Sequence, residues 1–166
     1  MKVTIENHNL SWAGKFESEK QKLLSTLETR HVTIEHIGST AVPNLGAKPV
    51  IDILIGLNDF SIAGNLIPVI TNLGYEYISK YEDVFPNRRF FIKNTNQMRS
   101  HHIHMVKFGS DFWKTHLRFR DILRSNPEIR KDYFDLKLRL AQLDWESSND
   151  YADAKSDFIQ QVLGKY

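Results

Sequence analysis

The nine residues Pro49-Val50-Ile51-Asp52-Ile53-Leu54-Ile55-Gly56-Leu57 constrain this chain more than any others. They form a nearly continuous run of β-branched and aliphatic side chains, the composition of a central strand covered on both faces. A chain containing such a strand must build a sheet around it. Asp52 interrupts the run. An unpaired carboxylate there costs several kcal/mol, so something compensates it: a cation, a network of donors, or a metal ion. The structural alternative is an aspartate paired with a buried arginine or capping a loop.

The flanking patterns supply the rest of the architecture. From Ser11 to Thr29 the pattern is helical, with Trp12, Phe16, Leu23 and Leu27 in one narrow arc. Glu19 falls in the same arc, which predicts a buried carboxylate paired with an arginine or a histidine. His31–Gly38 reads as the strand before the central one. Asp59–Leu73 reads as a helix that Pro68 should kink or restart and Gly74 should end. Tyr75–Lys80, Arg89–Lys93 and His101–Phe108 read as short strands between turn-rich segments. A helix follows over Asp111–Arg124, and Ser125 and Glu128 have capping-box spacing for the next, which runs to about Leu143. Ser147-Ser148-Asn149 offers caps for a last helix, Asp150–Leu163, closed by Gly164. This order predicts one α+β domain over residues 1–166. It has an N-terminal helix, a mixed sheet of about five strands and a C-terminal helical segment, with helices mainly on one side.

Composition excludes several classes. With 166 residues and no cysteine, the chain can bury a core without disulfides, and thiolate metal sites are ruled out. Its 22 Lys+Arg against 20 Asp+Glu are near balance, and from Asp111 onward ten acids meet ten bases. No basic arm exists, so no extended nucleic-acid surface is expected. The start, MKVTIENHNLSW, lacks the apolar centre of a signal peptide, and no run approaches a membrane span. A cytoplasmic location without membrane contact is expected, and the oligomeric state is open.

Several residues could carry chemistry. Between Val84 and Ser110 there is no acid, but Arg88, Arg89, Lys93, Arg99 and Lys107 occur with His101, His102 and His104. Such a segment is either a solvated basic face or a field that attracts a small anion such as phosphate. Gly38-Ser39-Thr40 closes the strand before the central one, exposing backbone N–H groups and two hydroxyls that suit a phosphate. His102 and His104 stand two apart and share a strand face. With Asp52 they make a 2-His-1-carboxylate set, to which His36 is a further candidate; the alternative is one core and one surface histidine. Tyr133/Lys137, Tyr151/Lys155 and Arg120/Arg124 are each one helical turn apart. They either close the far side of an anion site or form ordinary surface pairs.

At these residues the chain resembles the GrpB-like family. The likeness is carried by Glu35-His36-Ile37-Gly38-Ser39-Thr40-Ala41-Val42-Pro43 and by Lys48-Pro49-Val50-Ile51-Asp52-Ile53. His102-Ile103-His104, the helix Phe119-Arg120-Asp121-Ile122-Leu123-Arg124 and the two Tyr/Lys pairs add to it, so it runs from Trp12 to Leu163. That family is placed in the nucleotidyltransferase superfamily, which implies an α+β fold and transfer of a nucleotidyl or phosphoryl group from a nucleoside triphosphate to a small acceptor. By resemblance, Asp52 and Ser39 are the catalytic candidates. Gly38, Ser39, Thr40, Lys48, Arg88, Arg89, Arg120, Lys137, Tyr151 and Lys155 would then bind nucleotide or phosphate. The superfamily pairs two acids as Asp-x-Asp to hold Mg²⁺ or Mn²⁺. Here the partner position holds Val50 or Leu54. The set Asp52, His102, His104 and His36 would instead favour Zn, Mn, Fe or Ni. A metal-assisted enzyme of another kind, or a non-catalytic module binding a nucleotide or phosphorylated metabolite, are therefore the alternatives.

Overall fold

A computed structural model describes residues 1–28 and 31–166. Helix α1 (Ser11–Leu27) leads to strands β1 (Val32–Ile37) and β2 (Ile51–Leu57), then helix α2 (Ala63–Thr71). Strands β3 (Glu76–Tyr77), β4 (Arg88–Thr95) and β5 (Met98–Lys107) follow. The chain closes with α3 (Asp111–Ser125), α4 (Pro127–Ala141), α5 (Ser148–Asp153) and α6 (Ser156–Lys165). The expected end of the first helix at Thr29 lies outside the described residues. The fold is α+β with one mixed sheet in the order β1-β2-β5-β4-β3. The apolar run forms β2, antiparallel to β1 and parallel to β5. No helix among the described residues is long and apolar enough to cross a membrane.

Strand alternation divides this sheet into two unlike faces. Ile51, Ile53, Ile55 and Leu57 of β2, with Ile103 and Met105 of β5, pack beneath Trp12, Phe16, Leu23 and Leu27 of α1 and Leu66 and Ile70 of α2. Each such side chain, fully buried, contributes about 1.5–3 kcal/mol. The other face shows Asp52, Leu54 and Gly56 of β2 beside His102, His104 and Val106 of β5. Trp113 of α3 covers its Leu54 and Val106 end. A Cβ on Gly56 would sit 2.6 Å from the Trp113 ring, so glycine there lets α3 approach the sheet. Helices thus lie on both faces rather than mainly on one, and the Asp52 end of the second face stays open.

Several boundaries differ from expectation for identifiable reasons. A short 3₁₀ turn, Phe60–Ile62, precedes α2, and α2 runs through Pro68 without breaking. The carbonyl that Pro68 cannot serve belongs to Gly64, which is exposed and open to water. The third strand shrinks to two residues because a 3₁₀ turn, Ser79–Tyr81, takes over. Ser125 stays inside α3, donating to the Asp121 carbonyl, while Asn126 with Pro127 behind it starts α4. Ser147 does form a capping box, with Asp150, but the helix it starts breaks at Ala154–Lys155, and Gly164 lies within α6.

Glu19 is 4% exposed, as its place on the α1 stripe predicts. It meets a tyrosine and a lysine rather than the expected arginine or histidine: it accepts from Tyr75 Oη at 2.8 Å and from Lys93 Nζ at 3.1 and 3.3 Å. Burial alone would raise its pKa; the hydrogen bonds from Tyr75 and Lys93, with the charge of Lys93, outweigh it and hold the carboxyl below its usual value. An acid depressed in this way contributes stability above its unfolded pKa, lost as pH falls through the folded one. Glu19→Gln should therefore cost roughly 1.5–3 kcal/mol at pH 7. The cost should shrink in acid, and ligand binding on the opposite sheet face should not change. Thermal melts at pH 7 and pH 4 check this.

Candidate functional site

The open half of the second sheet face floors a cavity of about 650 Å³, in the range of small-molecule sites. Asp52 lies at its base. Asp52 Oδ1 is 3.2 Å from His102 Nδ1 and 3.5 Å from His104 Nε2. Register explains the meeting: Asp52 pairs with His102 across the parallel ladder, and Leu54 with His104. No arginine pairs with Asp52 among the described residues, so the buried-arginine alternative does not hold. Burial would raise the Asp52 carboxyl, but the two imidazoles outweigh it and hold it well below the usual carboxylate range. Burial pushes His104 down to about 4, leaving its ring neutral near pH 7. Arg99 Nη1 stands 3.1 Å from His102 Nε2. A guanidinium only donates, so in the neutral ring Nε2 accepts and Nδ1–H faces Asp52.

These three side chains offer ligand atoms within 4.8 Å of one another. Separations of 3.2 and 3.5 Å from the shared oxygen suit donors around one ion at bond lengths of about 2.1 Å. One carboxylate with two imidazoles fits Mn, Fe, Zn or Ni better than Mg, which prefers an oxygen shell. To serve as a ligand, His102 must shift its proton to Nε2, which obliges Arg99 to withdraw.

Around this base the cavity wall is cationic. Lys48, Arg88, Lys137 and Lys155 line it, against Asp153 as the one further acid among the described residues. Gly38, Ser39 and Thr40 line the side beneath Asp52. Gly38 has φ +74°, and a Cβ on it would lie 2.7 Å from Asp52 Oδ2. Lys137 is buried and donates to the Gly46 carbonyl, with its ammonium 5.1 Å from the Tyr133 ring centre. Lys155 stands at the α5–α6 break with its ammonium 4.4 Å above Tyr151. Burial pushes Lys137 down to about 7 and Lys155 down to about 8. The Tyr151 hydroxyl is buried without a partner. Arg88 is caged by aromatic rings, 4.6 Å from Phe85 and 5.2 Å from Phe90, and its Nε also lacks a partner.

Three of the expected site residues stand elsewhere. His36 pairs in register with Ile53, on the core face; it stacks on Phe16 at 4.6 Å and meets Thr40 Oγ1 at 2.9 Å, so it joins no ligand set. Arg89 faces the same way, ion-paired to Glu82 and 5.2 Å from the Phe60 ring. Arg120 is held by Glu35 and Asp121 and donates to the His36 carbonyl outside this cavity. Conversely, Tyr81, Phe85, Phe90 and Asn149 line the cavity and were not singled out from the sequence. Only Phe90 had a signal, being two residues from Arg88 on one strand.

Residues 2–165 match the family model described as GrpB protein. The UPF0157 protein YqkA of Bacillus subtilis is 38% identical over 159 residues, 96% of this chain but 46% of that protein. This chain thus spans about half of YqkA. Glutamate-rich protein GrpB of Alkalihalophilus pseudofirmus is 31% identical over 169 residues, 98% of this chain and 95% of that one. The crystal structure of conserved protein GrpB from Enterococcus faecalis is similar with a TM-score of 0.86 at 35% identity, covering 98% of this chain and 96% of that chain.

Proposed function

We propose that this chain, which belongs to the GrpB family, binds a nucleoside triphosphate with a divalent cation above Asp52 and transfers a nucleotidyl or phosphoryl group to a small acceptor. The observation that carries the reading is the convergence of Asp52, His102 and His104 at the base of a cavity ringed by four cationic side chains. A cation held by the three would neutralise phosphate charge and polarise the phosphoryl oxygens. Lys48, Arg88, Lys137 and Lys155 supply the remaining positive charge, and the unpartnered Tyr151 hydroxyl and Arg88 Nε donate to phosphate oxygens. Ser39 and the Gly38 turn present donors to the same group. Tyr81, Phe85 and Phe90 offer ring faces for a base.

A second reading, a module that binds such a ligand without turnover, is favoured by one observation. Val50 and Leu54, the places for a second acid, are 7% and 0% exposed, so Asp52 has no carboxylate partner on its own strand. Calorimetric titration of ATP with and without Mn²⁺, followed by ³¹P NMR of the mixture after the metal has been removed on chelating resin, separates the two. Transfer predicts Mn²⁺-dependent binding and loss of the triphosphate signals; a binding module predicts the first without the second. No binding under either condition defeats both.

The lowered lysines make binding pH-dependent. Free Lys137 and Lys155 lose their protons near pH 7 and 8, and a phosphate beside them favours the protonated form. ATP binding should therefore take up protons between about pH 7 and 9, and affinity should fall as pH rises through that window. Calorimetry in two buffers of different ionisation enthalpy measures the uptake. Binding that strengthens with pH would contradict it.

A further inference from the structure

A second cavity, of about 580 Å³, opens between α3 and α6, and Gly38, Ser39 and Tyr133 belong to the walls of both. The two spaces therefore meet at the turn beneath Asp52. The second has a different character. No Asp or Glu lines it among the described residues; Phe119, Ile159 and Leu163 form an apolar side, and Arg118 stands at its edge. Arg118 donates to the Leu163 carbonyl and has no acidic partner among the described residues, whereas Arg120 is already neutralised by Glu35 and Asp121.

His116 lies in the same wall. Its Nδ1 is 2.8 Å from the Phe112 carbonyl of its own helix. A carbonyl only accepts, so Nδ1 carries the proton and the Nε2 of the neutral ring is a bare acceptor. The ring stacks on Phe112 at 3.8 Å, and Phe112 lies 5.6 Å from His104. One aromatic ring thus separates His116 from the metal-type cluster. His116 is exposed on α3, so its bare Nε2 can meet a compound bound against this wall.

We infer that, if the first cavity holds a nucleoside triphosphate as proposed above, the second receives the acceptor, a small hydroxyl compound with an apolar body and one anionic group, whose proton passes to His116 Nε2. The acceptor O–H bond breaks as its oxygen forms a bond to phosphorus. The P–O bond to the departing group breaks, and that group leaves with the bonding electron pair, as pyrophosphate when a nucleotidyl group moves and as nucleoside diphosphate when a phosphoryl group moves. His116 later returns the proton to solvent. The apolar wall takes the body of the acceptor, and Arg118 takes its charge.

3-Phenyllactate carries all three features and serves as the probe. Titrated into ¹⁵N-labelled protein without metal, it should shift the His116 and Ile159 amides saturably, with the same Kd in Asp52→Asn. Ile159→Trp fills the cavity and should abolish the shifts. Where that variant does not fold, Arg118→Gln, at an exposed position, should weaken binding about 10-fold. After reaction with Mn²⁺ and ATP and removal of the metal on chelating resin, ³¹P NMR should show a new phosphate ester, and His116→Gln should slow its formation about 100-fold while leaving the phenyllactate Kd unchanged. Absence of saturable shifts, shifts indifferent to both cavity variants, or a His116→Gln rate equal to wild type overturns the inference. So does joint binding of both compounds without ester. MnATP binding without phenyllactate shifts removes the second cavity alone. Phenyllactate shifts without MnATP binding remove the nucleotide reading, and the acceptor role with it.

Discussion

Asp52→Asn should lower Mn²⁺ affinity by more than about 100-fold, beyond the loss usual for a supporting partner of a ligand, while the protein melts within a few degrees of wild type. The substitution removes the carboxylate charge from the Asp52–His102–His104 set and keeps an oxygen that can accept from both imidazoles. A buried aspartate paired with arginine would behave otherwise, because losing it strands the arginine at about 3–5 kcal/mol. Asp52 faces imidazoles, which can release a proton, rather than an arginine, so no charge is stranded and the cost should stay below that figure. Mn²⁺ titration by calorimetry and a melting curve decide the matter together. A large fall in Tm with intact Mn²⁺ binding would make Asp52 a structural residue.

Gly38→Ala should damage the same site from the backbone side. Gly38 has φ +74° and ψ −176°, a conformation essentially reserved for glycine, and a side chain there costs about 1–3 kcal/mol. The added methyl also meets Asp52 Oδ2 at 2.7 Å and must push the carboxylate away from its imidazole partners. Mn²⁺ and nucleotide binding should both fall by about 100-fold or more, since a displacement near 1 Å is enough for such a loss. Gly14→Ala is the control: Gly14 lies in α1 with nothing within 4 Å, and alanine there should be neutral or stabilising by up to about 1 kcal/mol. Parallel melts and titrations of the two variants test the contrast. Equal behaviour would mean that the Gly38 turn does not shape the site.

The central strand, the α+β order and the meeting of Asp52 with His102 and His104 are legible because strands repeat with period two. The same rule, carried further, corrects the basic segment. Arg88, Phe90, His102 and His104 face the cavity, while Arg89, Phe91, Lys93 and His101 face the core side. Lys93 neutralises Glu19 there rather than drawing in an anion. His36 was also open to correction, since it alternates in phase with Ile34, a core residue. The break between α5 and α6 is another matter. Ser147 to Gly164 has no local breaker, and only packing puts Lys155 where its ammonium crosses Tyr151. Tyr81 reaches the cavity through the 3₁₀ turn that cut β3 short, a contact with no periodic signature.

The parallel pairing of β2 with β5 has a kinetic consequence. Positions 52 and 102 meet only after β3 and β4 have been looped out between them, and closure over such a distance comes at a high entropic cost. The three ligand groups are therefore scattered in the unfolded chain and come together only when the sheet is complete. Any ion that prefers the assembled set binds the native state alone. Its effect is then a mass-action gain of RT ln(1 + [L]/Kd) in unfolding free energy, expressed as slower unfolding rather than faster folding.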